Sequence, residues 1–133
     1  MKYHLDTNVC INVLAQRNAR LAQRFLAVPL SEKVICCIVR AELFYGANKS
    51  LWRATSLEAI ETFLADYPTV NFDSTAAQIQ GRLRAELERQ GTPIGPYDLQ
   101  IAALALAHQA ILVTHNTREF SRIPNLQLED WEI

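Results

Sequence analysis

Apolar and polar positions divide the chain into short buried runs and longer amphipathic stretches. Tyr3-His4-Leu5 is a brief, mostly apolar run that stops on Asp6, and Thr7-Asn8 follow at once, as where a strand ends and a helix begins. Residues 9–15 continue as a helix, and the pattern breaks at Arg17-Asn18. Residues 19–27, with Leu21, Phe25 and Leu26 apolar among Arg20, Gln23 and Arg24, make a second helix that Pro29 closes. Residues 33–38 form a continuous apolar run of strand length, as in a buried parallel strand. Helices are then expected over residues 39–47, with Glu42 in the first turn, and over residues 51–65, stopped by Pro68.

Residues 69–72 read as a short strand, and Asp73-Ser74 as the cap of a long helix over residues 75–89. Residues 91–96, with two glycines and two prolines, are the clearest loop. An apolar helix opened by Asp98 spans residues 97–108, a buried strand residues 111–114, and a polar loop residues 115–119. Residues 126–129 alternate as an edge strand would. Strands alternating with helices, about seven helices to about five strands, predict an α/β fold with a mainly parallel central sheet covered on both faces. With no repeat and no linker, residues 1–133 form one domain.

Composition narrows the class. Half of the residues are hydrophobic, enough for a real core, and the 20% that are charged form no like-charge block, which excludes a disordered chain. The longest apolar run, residues 101–113, is interrupted by His108 and Gln109 and is too short to span a bilayer, and the first residues lack the apolar stretch of a signal peptide. A cytoplasmic protein with no membrane partner is expected. Cys10, Cys36 and Cys37 lie in apolar surroundings without zinc-ligand spacing, as packing cysteines of a reducing compartment do. The net charge of −1 does not announce nucleic acid, but two bound divalent cations would reverse its sign. Ten of the 13 basic residues are Arg, the side chain suited to forked phosphate contacts.

Topology then says where the acids go. In a parallel α/β sheet the helices run against the strands, so helix N-termini gather at the edge where strands end. Asp6, Glu42, Asp98 and Asn116, from four separate segments, all fall at that edge. Each acid alone is explained by the helix macrodipole. Crowded together, they would repel unless a cation were present, and hard oxygen donors suit Mg²⁺ or Mn²⁺. Strand order, which decides whether they converge, is open. Asp73 reads as a cap, Glu86 and Glu88 as a solvated face, and Glu129, Asp130 and Glu132 as an acidic tail.

Four motifs in order, Leu5-Asp6-Thr7-Asn8, Ala41-Glu42-Leu43 with Tyr45-Gly46, the stretch from Gly95 to Ala103, and the stretch from Val113 to Phe120, make the chain resemble the PIN-domain ribonucleases. The match is closest to the VapC toxins of bacterial toxin–antitoxin pairs. The resemblance covers essentially the whole chain. It implies a PIN-like three-layer α/β/α fold, Mg²⁺- or Mn²⁺-dependent cleavage of RNA such as transfer RNA, inhibition of translation, a VapB-type antitoxin partner, and a homodimer that enters a higher complex with the antitoxin. Asp6, Glu42 and Asp98 match the family's three core acids and its metal ligands. Thr7, Asn8 and Thr114 match supporting polar positions. The frequent fourth acid falls at Asn116, which carries no charge, with Glu119 in the same loop as a substitute.

With a single ion, an Arg is expected to take part of the leaving-group charge, and Arg82, Arg84 and Arg118 are the candidates. Thr7 or Asn8 is expected to cap the helix while Asp6 faces outward. His4 and His108 read as satisfied core residues, and no function attaches to His115 or Cys37. The competing readings are a non-catalytic PIN-like module that binds RNA or protein, which Asn116 favours, and a phosphatase with Asp6 as nucleophile. The latter usually wants a second Asp two residues on, where this chain has Asn8.

Overall fold

The computed structural model describes all residues, Met1–Ile133. Five strands, β1 (Tyr3–Leu5), β2 (Lys33–Cys36), β3 (Thr69–Val70), β4 (Ile111–Val113) and β5 (Gln127–Glu129), lie in the order β3-β2-β1-β4-β5. All pairings are parallel, with Tyr3 opposite both Lys33 and Ile111, and Ile111 opposite Gln127. The first strand of the chain is therefore the middle of the sheet. No turn joins parallel neighbours, so each crossover carries helices. The crossovers are α1 (Thr7–Leu14) and α2 (Ala19–Ala27), then α3 (Cys37–Asn48) and α4 (Arg53–Leu64), then α5 (Ser74–Arg89) and α6 (Pro96–Ala107), and finally α7 (Thr117–Phe120). The helices α1 to α4 pack among themselves, and α5 packs along α6, giving the two outer layers.

Burial follows the apolar pattern. The core joins Leu5, Ile35 and Leu112 of the sheet to Leu21, Leu43, Leu83 and the wholly buried stretch Leu99, Ile101–Leu104 of α6. No helix is long and apolar enough to cross a membrane. Asp73 caps α5 as expected, accepting from Ala76 N–H at 2.9 Å, and Asn18 caps α2 through Leu21 N–H at 3.0 Å.

Several boundaries differ from the expected ones. The apolar run of residues 33–38 is split: β2 stops at Cys36, and Cys37 and Ile38 already open α3. Both sides of that boundary are buried, so hydrophobicity alone does not mark it. In consequence Glu42 sits in the second turn of α3, not the first. The polar stretch after β4 is not all loop, since α7 occupies Thr117–Phe120 around the buried Phe120. Glu129, Asp130 and Glu132 are not a loose acidic tail. Glu129 lies in β5 and accepts from Trp131 Nε1–H at 2.9 Å, Asp130 bonds His115, and Glu132 bonds Asn12 and Asn18.

Candidate active site

The chain steps from β1 outward to β2 and β3, then crosses back to β4 on the other side of β1. Between β1 and β4 the direction of progression reverses, and a crevice opens beyond the strand ends. Asp6 stands at its floor. It is buried and is itself the N-cap of α1, its Oδ1 accepting from Thr7 N–H at 2.8 Å. Its Oδ2 accepts from the Thr114 hydroxyl at 2.8 Å, across 108 positions of sequence. The expectation that Thr7 or Asn8 caps while Asp6 faces outward is therefore corrected: one carboxylate does both tasks. Thr114, fully buried just past β4, also accepts from Asn116 N–H at 3.0 Å and so anchors the loop that follows.

Helices α3 and α6 deliver the other two acids. Arg40 locks α3 in place, donating from Nε to Ile35 O at 3.2 Å and from its guanidinium to Tyr67 O at 2.6 Å. Two positions further on, Glu42 is partly buried. Pro96 begins α6, where its lack of an N–H costs nothing, and Asp98 stands in the first turn with no side-chain cap competing for the helix end. Glu119, in α7, receives the Asn116 side-chain amide at 3.2 Å. Asn116 thus carries no charge but bonds an acid three positions on.

Asp6, Glu42 and Asp98 each feel burial and a neighbouring carboxylate. Asp98 is pushed up to about 6, first by burial and then by the charges of Asp6, Glu119 and Glu42. Burial raises Asp6 against the opposing bonds from Thr114 and Thr7, and Glu119 adds to the rise. Glu42 is raised by burial and by Asp6, while the nearby Thr7 hydroxyl favours its charge. That hydroxyl is buried without a partner in hydrogen-bonding geometry, an orphan oxygen facing the acids. Clustered carboxylates with raised pKa values and an unused polar atom fit a hydrated divalent cation, and hard oxygen donors favour Mg²⁺ or Mn²⁺ over softer metals. Asn8, exposed, lines the cleft beside Asp6 with Asn12, His115 and Asn116.

Arg17 lines the same cleft, and it escaped notice in the sequence. Gln16, at φ 54°, turns the chain back after α1, and Arg17 then donates to Asn12 Oδ1 at 3.3 Å. The arginines expected near the acids are elsewhere. Arg84 is paired with Glu88 at 3.0 Å on the exposed face of α5, and Arg82 lines a separate hollow with Arg122 and Pro124. Arg118 precedes Glu119 in α7. His115 bonds Asp130 at 2.9 Å, which holds its pKa above the ordinary value. With Glu132 these two place ligand-type atoms within 4.8 Å of one another, and His115 and Glu132 line the same cleft as Asp6. His4 is buried against His108 at 3.3 Å and is pushed down to about 4, but its Nδ1 has no partner, so it is only half satisfied. The cysteines are free, with Cys10 and Cys36 buried as packing residues.

Comparison with known proteins identifies the family and the fold. The PIN domain family model matches residues 3–126. The tRNA(fMet)-specific endonuclease VapC of Salmonella typhimurium is 41% identical over 131 residues, 98% of both chains. Ribonuclease VapC2 of Rickettsia felis is 38% identical over 133 residues, 99% of both. Among solved structures, the DNA-bound VapBC of Salmonella typhimurium superposes with a TM-score of 0.92 at 41% identity, covering 98% of each chain.

Proposed function

Since the chain belongs to the PIN-domain family and, within it, to the VapC ribonucleases, we propose that it is the toxin of a VapBC-type pair, a metal-dependent endoribonuclease that cuts a structured RNA and so halts translation. Two relatives bear the name tRNA(fMet)-specific endonuclease, and initiator transfer RNA is the substrate we carry over to this chain. The observation that carries the activity is that Asp6, Glu42 and Glu119 lie close enough to Asp98, at the switch point of the sheet, for their charges to act on it. That arrangement supports Asp6, Glu42 and Asp98 as the metal-holding, catalytic acids and Glu119 as a fourth, with Thr7, Asn8, Thr114 and Asn116 supporting them.

A Mg²⁺ or Mn²⁺ ion bound there supplies Lewis acidity toward the phosphodiester and an attacking water. The protein does the rest. Thr114 and the Thr7 N–H fix the Asp6 carboxylate in one orientation, and Asn116 holds Glu119 towards the others. Arg17 and Arg118 are the cations placed to meet phosphate oxygens next to the acids. A VapB-type antitoxin as partner accords with the VapBC complexes among the structural relatives. Exposed Leu51 and Trp52, at 95% and 75%, give an apolar corner between α3 and α4 on which a partner or a second copy of a homodimer can settle.

The test is direct. Purified protein freed of antitoxin is expected to cut initiator transfer RNA with Mg²⁺ or Mn²⁺ and to stop with EDTA. Cleavage by Asp98→Asn at the unmodified rate would overturn the site.

A further inference from the structure

The Glu42 carboxylate belongs to two places at once. On one side it faces Asp6 and Asp98. On the other it lines a groove of about 680 Å³ whose walls are Cys37, Tyr45, Phe72, Tyr97 and Gln100. That volume falls within the range of small-molecule pockets. Tyr45 and Tyr97 are 65% and 62% exposed, large aromatic faces that folding leaves in water. Neither is required by the core. Tyr97 immediately precedes Asp98, and Tyr45 lies three positions after Glu42, on the same side of α3. Lys49 Nζ sits 4.9 Å from the centre of the Tyr45 ring, which puts a positive charge at the rim.

These features describe a slot with mostly apolar lining, one amide and one carboxylate in its walls, and an ammonium against one of its tyrosines. A nucleotide has the complementary make-up: a flat base with polar edges, flanked by two phosphates. We propose that the groove is the subsite for an unpaired nucleobase next to the scissile phosphate, stacked against Tyr45 and Tyr97, with Gln100 reading its edge and Lys49 meeting the next phosphate. This rests on the ribonuclease function proposed above. RNA held with one phosphate at the acids must lay its adjacent nucleotide against a neighbouring wall, and this is the wall that Glu42 shares. Unpaired bases are the part of structured RNA that proteins read by stacking and by edge hydrogen bonds. The slot would thereby make the enzyme select a loop over a duplex.

The experiment begins by mapping the bond cut in initiator transfer RNA. Synthetic stem-loops of that local sequence are then prepared with a single abasic residue at each position around the bond. With the unmodified protein, one abasic position is expected to lower kcat/KM about ten- to a hundred-fold, the worth of one base–aromatic stack. In Tyr45→Ala/Tyr97→Ala the intact RNA should already be cut that much more slowly, and the abasic residue should cost almost nothing more. The double Tyr→Phe variant should retain the sensitivity, and Gln100→Ala should flatten the preference among the four bases at that position. Both tyrosines are exposed, so the melting temperature should hold.

Equal abasic sensitivity with and without the tyrosines would overturn the subsite while leaving the ribonuclease intact. So would unchanged cleavage combined with lost inhibition by the antitoxin, which would assign the groove to that protein. Absence of any metal-dependent RNA cleavage by the unmodified protein would instead remove the underlying function, and the subsite with it.

Discussion

On the Asp6 side of the cleft, both carboxylate oxygens are held, one by a helix N–H and one by a buried threonine, each at 2.8 Å. On the Asp98 side the same side chain projects from the first turn of α6, and only burial and three neighbouring negative charges set its pKa. The two walls meet at one site but are built on different terms. Asp6 belongs to the architecture as well as to the chemistry, because it starts α1 and ties β1 to the chain beyond β4. Asp98 caps nothing and accepts no side-chain bond, and the fold would rest more easily without its charge. A carboxylate held in place by two hydrogen bonds and one held by none, both raised by burial, make a site whose position is fixed on one side but whose charge is unsettled on both.

The walls should respond alike in activity. Asp6→Asn and Asp98→Asn are each expected to slow RNA cleavage on the order of 10³-fold, the scale of losing one preorganised electrostatic group, measured as single-turnover rates with saturating Mn²⁺. In stability they should diverge. Asp6→Ala removes an N-cap and leaves the buried Thr114 hydroxyl without its acceptor, so a loss of about 1–3 kcal/mol is expected in urea unfolding without metal.

The pH response belongs to the Asp98 wall. Its folded pKa is raised to about 6, so a divalent cation competes with a proton there. At limiting metal, cleavage should fall about tenfold for each pH unit below that value, and Asp98→Asn should lack that limb of the profile. For stability the ionised form is the disfavoured one, as it is at Asp6, whose carboxyl burial also raises. A raised carboxylate pKa means that the folded chain holds the proton more tightly, so ionisation above pH 6 weakens the fold. Asp98→Asn is therefore expected to stabilise the metal-free protein at pH 7 by about 1 kcal/mol, discounted for partial exposure. The gain should vanish near pH 4, where the unfolded carboxylate is protonated too.

The smallest effect concerns the loop between the walls. Asn116→Asp would set a charge beside Glu119 where an amide donor now sits, and about a two- to fivefold change in metal affinity is expected by titration, the size of one partly screened charge. No change at all would detach α7 from the site.

Much of this was legible in the residues. Asp6 closing a short apolar run, Asp98 opening a helix, and the alternation of strands with helices placed three acids at one edge before any coordinates. Strand order was not legible, because nothing in a parallel strand of three residues names its neighbours. For that reason the Thr114–Asp6 bond, and with it the double duty of Asp6, could be found only in three dimensions. The slip at Glu42 has a local cause: Cys37 and Ile38 are as apolar as the strand before them. The exposed tyrosines carried no signal either, since a Tyr on a helix is read first as core. Arg17 depends on a left-handed turn at Gln16, a residue type that seldom marks one.

The central position of β1 bears on when the site can form during synthesis. The middle strand is the first to be translated, yet it has no partner on its β4 side until residue 111, and Asp6 lacks its second bond until Thr114 has been added. At synthesis rates of about 5–20 residues per second, a delay on the order of ten seconds separates the two. A nascent chain therefore cannot complete the surroundings of the Asp6 carboxylate until the β4 segment has been added.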